Sequence, residues 1–192
     1  MFFCIKKELI NLRTDFWRTL YIWQNQRWLW LTGALIALSL DLIAIFYFQD
    51  YLQLNPCEKC VVIRLAVLVI FFAMGLCAIN PKNRILKIVS YLLLSWAIIQ
   101  GFLWSFELDA ITREFNHSGF SYCTITTVKF PFNLPLDQWF PSIFLPTGIC
   151  GEDMWYFLGF NMAQYMMLIF AIYFILLFLF IISVFKKGKE TA

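Results

Sequence analysis

The hydrophobic positions of the chain are gathered into four long runs, and charged residues, Pro or Asn separate them. The runs cover residues 28–48, 61–79, 88–106 and 164–185. A helix needs about 20 mostly apolar residues to cross the hydrocarbon layer of a bilayer. The pattern therefore predicts an all-α membrane protein, a bundle of four transmembrane helices that forms one domain over residues 1–192. We expect no cleavable signal peptide, because residues 1–27 precede the first run and no small-residue cleavage site follows it.

The Lys and Arg residues outside the runs predict how the bundle is oriented. Eleven of them lie in 1–27, 80–87 and 186–192, whereas three lie in 49–60 and 107–163. Positive residues are enriched on the cytoplasmic side of membrane proteins. We therefore expect both termini in the cytoplasm, with one short outer loop, 49–60, and one long outer loop, 107–163.

The N-terminal tail has apolar residues at helical spacing, with Lys and Arg between them: Leu9, Leu12, Phe16, Leu20 and Trp23. This pattern favours an amphipathic helix that lies on the inner membrane surface. A solvated tail with a membrane-proximal anchor is the alternative.

The composition agrees with a membrane protein and excludes several other classes. The chain is 61% hydrophobic and 14% charged, whereas a soluble domain is roughly 45–50% apolar and about 25% charged. Too few charged residues are present to cover a water-facing surface. We therefore exclude a disordered chain, a nucleic-acid-binding domain and an ordinary soluble enzyme.

The predicted topology divides the six cysteines into two groups. Cys4 and Cys77 fall on the cytoplasmic side, where disulfides rarely persist. The other four fall on the outer side, two in each loop: Cys57 and Cys60, and Cys123 and Cys150. A Cys-x-x-Cys pair alone is ambiguous, because it can bind zinc, staple a loop or carry out redox chemistry. Four outer cysteines could supply a complete zinc site.

The surroundings of Cys60 favour redox chemistry. Cys60 stands at the N-terminal end of the second predicted span, where the helix dipole stabilises a thiolate. Arg64 follows one turn later on the same face, and an Arg just inside a span usually marks a functional site. A lipid-soluble two-electron acceptor such as a quinone can reach this place, and Arg64 can stabilise the oxyanion that develops on it. Thiol–disulfide exchange with the second outer pair would connect this site to a soluble protein thiol.

Three other interpretations remain open at this point. The outer cysteines can be a zinc site, or they can form two inert structural disulfides. Arg64 can be an arginine whose side chain reaches the interface without any chemical role. Asp41 lies in the middle of the first span and is either neutral, paired with a neighbour or part of a proton path.

The motifs around the cysteines resemble those of the DsbB family of membrane oxidoreductases that generate disulfides. Pro56-Cys57-Glu58-Lys59-Cys60 followed by Arg64 is similar to the family's cysteine–x–x–cysteine–x–x–x–arginine pattern. The similarity continues from Cys123 through the Pro- and Trp-containing loop to Cys150 and into the last span. The acidic centre Cys-Glu-Lys-Cys, the inner loop 79–83 and the segment 130–136 are most similar to the DsbI group within this family.

The resemblance implies a role for each outer cysteine. Cys123 would be attacked by a reduced partner, Cys150 would exchange with Cys57, and Cys60 would meet the quinone beside Arg64. The acceptor would be ubiquinone or menaquinone. The partner would be a periplasmic DsbA-like thiol oxidase or a dedicated DsbL. The protein would be a multi-pass protein of the bacterial inner membrane with its redox sites facing the periplasm, and it would bind no nucleic acid.

The long outer loop departs from the family pattern at one position. DsbB proteins carry a histidine near the quinone pocket shortly before the third cysteine, where this chain has Glu107-Leu108-Asp109. The single histidine, His117, is expected to be a solvated loop residue without that role. Four prolines in the loop exclude a long helix there, and its aromatic residues favour a position at the membrane surface.

Overall fold

The computed structural model of the chain describes residues 16–119, 128, 130–131, 134–152 and 155–190. The described part contains four helices that are long and apolar enough to cross a membrane, which confirms the predicted all-α bundle. We number them α1 to α4. They are α1, Arg27–Leu42, which continues as a π-helical segment, Ile43–Tyr51; α2, Glu58–Ile79; α3, Arg84–Ser118; and α4, Met162–Glu190.

The four helices are not packed equally against one another. α2 packs along α1 and α3, and α4 packs along α3, whereas the backbones of α1 and α4 are hardly in contact. Large side chains bridge that seam: the Trp30 and Phe180 ring centroids are 5.9 Å apart, and Tyr173 Oη donates to the Gly33 carbonyl at 3.2 Å. An apolar cavity of about 380 Å³ lies between the two helices. The bundle is therefore well packed on three sides and open on the fourth.

α3 is longer than its apolar run. Asn83 caps its start by accepting from Ile85 N at 3.0 Å, and the helix ends at Gly119, whose φ of 72° is left-handed. The helix thus extends twelve residues beyond position 106, where hydropathy predicts the outer loop to begin. His117 is exposed, as expected, but it lies in the last turn of α3 and not in a loop. Hydropathy marks where a helix leaves the hydrocarbon layer, not where its hydrogen bonding stops.

Between α3 and α4, the described residues of the long predicted loop form only short elements. Two four-residue helices, Leu136–Trp139 and Pro141–Phe144, are followed by a two-stranded antiparallel pair, Tyr156–Phe157 with Phe160–Asn161. The absence of a long helix in this described part agrees with the prediction from the prolines.

The N-terminal tail is helical over 16–23. Lys186 Nζ lies 4.0 Å from the centroid of the Trp17 ring, so this segment contacts the end of α4. Leu9 and Leu12, which contribute to the predicted amphipathic pattern, lie outside the described residues.

Candidate active site

Cys57 and Cys60 are adjacent at the start of α2. Cys57 is the N-cap residue, and its sulfur accepts a hydrogen bond from Cys60 N at 3.3 Å. The two sulfur atoms are 2.7 Å apart, and both residues are free thiols. Cys57 is buried, whereas Cys60 is partly exposed. The pair is therefore positioned to form a disulfide with little movement of the backbone.

The surroundings of Cys57 and Cys60 determine which of the two sulfur atoms more readily carries negative charge. The pKa of Cys57 is raised well above its ordinary value, first by its hydrogen bond to the Cys60 side chain and then by burial. Cys60 lies in the first turn of α2, where the dipole of the helix favours negative charge. Negative charge in the pair is therefore best held at Cys60, the sulfur that faces the bundle.

Arg64 is buried one turn below Cys60, and its guanidinium group has three hydrogen-bond acceptors. Nη1 donates to Gln49 Oε1 at 2.8 Å and to the Ile143 carbonyl at 3.3 Å, and Nη2 donates to the Ala44 carbonyl at 3.2 Å. The side chain is 7% exposed. Two of these acceptors belong to the π-helical segment, and π-helical turns are frequent at functional sites. The positive charge is thus fixed in place by neutral partners and is not cancelled by any of these three bonds.

A cavity of about 200 Å³ opens beside Cys60 and Arg64. Its wall is mainly apolar, with contributions from α1, α2, α4 and the residues around Trp155. Asp41 also lines it and is 4% exposed. The cavity shares Leu40 and Ile169 with the larger apolar cavity in the seam between α1 and α4. Cys60, Arg64 and Asp41 therefore border one space, which neighbours the cavity in the seam.

The segment before Cys150 is bonded to the segment before Cys57. The Pro56 carbonyl accepts hydrogen bonds from Thr147 N at 2.9 Å and from Gly148 N at 3.1 Å. A Cβ atom at Gly148 would lie 2.5 Å from the Asn55 carbonyl oxygen, so glycine permits this approach. Cys57 and Cys150 consequently belong to the same buried cluster.

Cys150 itself is fully buried and disulfide-bonded. Cys123, the other cysteine of the long loop, lies outside the described residues. The residue after Cys150, Gly151, has a φ of 95°, and a Cβ atom there would lie 2.8 Å from Phe115 Cβ. Cys150 is therefore held between the start of α2 and the outer part of α3.

Polar side chains of α3 support both cysteine-containing segments. Glu107 forms an ion pair with Lys59 at 2.6 Å. Asp109 accepts from Asn161 Nδ2 at 2.7 Å through one oxygen and pairs with Arg113 at 2.6 Å through the other. The Glu107-Leu108-Asp109 stretch thus contributes structural contacts, and only Leu108 reaches the cavity.

The sequence did not reveal the acceptors of Arg64 or the bonds of the Pro56 carbonyl. Gln49 carried one usable signal, because it is a polar residue near the outer end of a predicted span. The carbonyl groups of Ile143 and Pro56 carry none, since any residue has a carbonyl group. Asp41 was visible in the sequence, and the structure places it at the cavity.

The described residues offer no alternative metal centre. In the ranges that the structure describes, no three His, Cys, Asp or Glu side chains come together as a metal-binding group. Cys150 is already disulfide-bonded, so it is not a thiolate ligand. Cys57 and Cys60 form a free dithiol, and Cys60 lines the cavity.

Comparison with known proteins agrees with this chemistry. A family model described as "Disulfide bond formation protein DsbB" matches residues 26–180. A DsbI-type sequence of Shewanella oneidensis is 43% identical over 168 residues, which are 80% of this chain and 79% of the relative. A disulfide bond formation protein B of Mannheimia succiniciproducens is 41% identical and covers 83% of this chain and 88% of the relative. A protein-disulfide oxidoreductase DsbI of Escherichia coli O1:K1 is 41% identical and covers 78% and 69%, respectively.

Proposed function

Because the chain belongs to the DsbB family, and is thus a multi-pass membrane oxidoreductase that forms disulfides, we propose that it oxidises a soluble dithiol protein at the expense of a membrane quinone. Two electrons leave the partner as its disulfide forms, pass through two cysteine pairs and reduce the quinone to a quinol. Cys57, Cys60, Cys123 and Cys150 carry the exchange, and Arg64 with Cys60 forms the quinone site.

One observation carries this proposal: Cys60 and buried Arg64 border the same cavity at the outer end of the bundle. A dithiol that only staples a loop needs neither a cavity nor a buried cation. An acceptor oxygen that becomes negative is stabilised by a fixed positive charge in a poorly solvated site. Three neutral acceptors hold the guanidinium group in place, so little reorganisation is needed when that charge develops.

The size and shape of the cavities fit a quinone with a long apolar tail. The cavity of about 200 Å³ beside Cys60 suits the ring, and the seam cavity of about 380 Å³ suits part of the tail. Leu40 and Ile169 line both cavities, so the two spaces are direct neighbours. Bound there, the quinone supplies the two-electron oxidising power, and Cys60 holds the sulfur atom that faces it.

The second pair connects this site to the soluble partner. In our proposal the partner's thiolate attacks Cys123, the released Cys150 thiolate attacks the oxidised Cys57–Cys60 disulfide at Cys57, and Cys60 leaves as a thiolate. The partner's second thiol then breaks the bond to Cys123 and completes the partner's own disulfide. The released Cys123 thiolate attacks Cys150, which restores the Cys123–Cys150 disulfide and leaves Cys57 and Cys60 reduced. The bonds of the Pro56 carbonyl support this order, because they hold the Cys150 segment against the Cys57 segment. A thiolate at Cys60 is the leaving group that the helix dipole favours.

The partner and the location follow from the family and the charge pattern. We propose that the redox sites face the periplasm of a bacterial inner membrane and that both termini are cytoplasmic. The partner is then a DsbA-like oxidase or a dedicated DsbL, and the acceptor is ubiquinone or menaquinone. Relatives named DsbI and DsbB are both similar to this chain, so both types of partner belong in the test.

The direct test is quinone reduction by the purified protein, followed by absorbance, with reduced DsbA or DsbL as the electron donor. We expect turnover in the wild type and none in Cys60→Ala. Cys77→Ala is the control, because Cys77 is a free cysteine of the same helix that lies near the other end of α2, away from the cavity. No turnover by the wild type with either partner and either quinone class would contradict the proposal. Stoichiometric zinc, or disulfides that resist mild reductant, would then indicate the metal-binding or structural alternative.

A second variant separates the two cysteine pairs. Cys123→Ala should abolish the mixed disulfide with the partner, while Cys57 and Cys60 still reduce bound quinone when a small dithiol is the donor. Trapping the mixed disulfide on a non-reducing gel, beside the same reaction with Cys150→Ala, measures the first step. A mixed disulfide formed at undiminished yield by Cys123→Ala would show that another cysteine receives the partner.

A further inference from the structure

We propose that Asp41 is the proton donor to the electron acceptor in the cavity beside Cys60, an inference that rests on the proposed function. Reduction of a quinone to a quinol requires two protons as well as two electrons. The cavity lies within the bundle, and its wall is mostly apolar. Protons at this place must therefore come from side chains in the wall.

Asp41 has the features of such a donor. It lies on α1, is 4% exposed and lines the cavity together with Cys60 and Arg64. Its Oδ2 atom is buried and has no hydrogen-bond partner among the described residues. Buried polar atoms are nearly always paired, and an exception calls for an explanation. A carboxyl oxygen whose partner is a bound substrate atom is one such explanation.

The other polar groups of the wall are less suited to this step. Arg64, from α2, keeps its protons at all relevant pH values and donates to three fixed acceptors. Tyr165, from α4, already donates its hydroxyl proton to the Phe157 carbonyl at 2.9 Å. Within the described part of the chain, α3 contributes only the apolar Leu108 to this wall. Asp41 is the one carboxyl group at the cavity among the described residues.

The position of Asp41 suits both of its protonation states. An unpaired carboxylate in a poorly solvated site is costly, so the resting form is the neutral acid, which can donate a proton. Arg64 lies near enough for the two charges to interact. It therefore stabilises the carboxylate that remains after the proton has left. A donor must be stable in both forms during each cycle, and this pair of residues provides that.

The step balances with the groups already named. Cys57 and Cys60 together lose two electrons as the sulfur–sulfur bond forms, and the quinone gains these two electrons and two protons. Over the whole cycle the two protons are those that the partner's two thiols give up; at the oxidation step one of them is held by the Cys57 thiol, because Cys60 is a thiolate. Asp41 gives one proton to a quinone oxygen and is reprotonated by a proton released from the thiol pair. No further oxidant or reductant is needed.

The test compares Asp41→Asn and Asp41→Glu with wild type, using short-chain ubiquinone and menaquinone analogues and a reduced DsbA-type donor. Asn keeps the shape of Asp but cannot donate as an acid. We expect the turnover number for quinone reduction to fall about 10²-fold or more in Asp41→Asn, as for loss of a general acid. The KM for quinone and the rate of mixed-disulfide formation with the partner should stay within about threefold of wild type. Asp41→Glu should recover part of the lost rate.

A spectroscopic readout tests the same proposal without turnover. Infrared difference spectra between the oxidised and reduced states should contain a protonated-carboxyl band in the wild type. The band should shift on labelling with ¹³C-aspartate and should be absent from Asp41→Asn. Ser90→Ala is the matched control, because Ser90 is a fully buried polar residue in the opposite half of the bundle, and it should keep both the band and the rate.

The outcomes distinguish this inference from the proposed function. Wild-type turnover together with undiminished turnover in Asp41→Asn would overturn the role of Asp41 alone. Wild-type protein that reduces neither quinone would overturn the proposed function. Should Asp41→Asn fail to fold, the labelled wild-type spectrum still decides: a carboxyl band that does not change on reduction overturns the inference.

Discussion

Gln24 and the pair Asp41 and Arg64, at opposite ends of the bundle, are buried in different ways. At the end away from the cysteines, Gln24 is fully buried and every part of it is paired. Its Nε2 donates to Ser183 Oγ at 3.2 Å, its Oε1 accepts from Tyr91 at 2.8 Å, and its carbonyl accepts from Trp30 Nε1 at 2.7 Å. At the cysteine end, the charged guanidinium group of Arg64 donates hydrogen bonds to three neutral oxygen atoms. Asp41 Oδ2 has no hydrogen-bond partner among the described residues.

This difference indicates where the structure serves stability and where it serves chemistry. A buried polar group with all its bonds made is stable and has nothing left to offer a ligand. A buried charge or an unpaired oxygen costs free energy, and where it borders a cavity, as Arg64 and Asp41 do, it is available to a bound molecule. The unpaired hydroxyl of Ser90 borders none of the three cavities described for this chain. Substitutions at the two ends should therefore affect different measurements.

The largest expected effect is on turnover at the cysteine end. Arg64→Met keeps much of the side-chain volume but removes the charge, so an oxyanion in the cavity loses its stabilisation. We expect quinone reduction to fall about 10²-fold, while thiol–disulfide exchange with the partner continues. Stopped-flow measurement of both steps on the same preparation separates them. Quinone turnover at the wild-type rate would show that the role assigned to Arg64 is wrong.

At the opposite end we expect loss of stability without loss of chemistry. Gln24→Leu leaves the hydroxyl groups of Ser183 and Tyr91 without their partner, which costs about 1–3 kcal/mol. Thermal unfolding in detergent should show this loss. Turnover per folded molecule should remain within about twofold of wild type. A fall in turnover as large as that of Arg64→Met would contradict the prediction that this end affects stability and not catalysis.

The cysteine pair provides a smaller effect that depends on pH. The hydrogen bond that the Cys57 thiol donates to Cys60 raises the pKa of Cys57, so Cys57 carries little thiolate near neutral pH. In Cys60→Ala this bond is lost, the pKa of Cys57 falls, and its alkylation should become faster, by about tenfold for each pKa unit regained. Mass spectrometry of iodoacetamide-treated protein over a pH series gives the midpoint. A midpoint that does not move down would contradict the assigned cause.

The smallest expected effect concerns the ion pair between Lys59 and Glu107. It spans α2 and α3, but the two side chains are 24% and 52% exposed. An ion pair exposed to this degree contributes about 0–1 kcal/mol. Lys59→Met should therefore change the unfolding temperature only slightly, and high salt should weaken even that difference. A fall in the unfolding temperature as large as that of Gln24→Leu would contradict this, because it would mean that Lys59 contributes as much stability as a buried, hydrogen-bonded residue.

The sequence was sufficient for features that depend on local pattern. The four helices follow from apolar length, and the adjacency of Cys60 and Arg64 follows from helical spacing. The position of Asp41 at the depth of the site follows from its place in the first span. These features rest on the period of one helix or on the thickness of the bilayer, and both are visible in a single stretch of residues.

Features that depend on distant contacts were not predictable. The carbonyl that accepts from Arg64 belongs to Ile143, 79 residues away. The bonds between Pro56 and residues 147–148 use main-chain atoms, which no side-chain pattern reveals. The full pairing of Gln24 joins three helices, and a glutamine in a basic tail looks solvated in the sequence. The tertiary fold, not local preference, determines these contacts.

The extra length of α3 allows the helix to contact the loop that follows Cys150. At 1.5 Å per residue, the helix is about 52 Å long, while the hydrocarbon layer is about 30 Å thick. The C-terminal part of α3 contacts the residues between Cys150 and α4 at three places: Asp109 with Asn161, Phe115 against Gly151, and Asn116 with Tyr156. These contacts hold loop residues after Cys150 on the part of α3 that extends beyond its apolar run. Shortening α3 by one turn would move this part of the helix by about 5 Å along the helix axis.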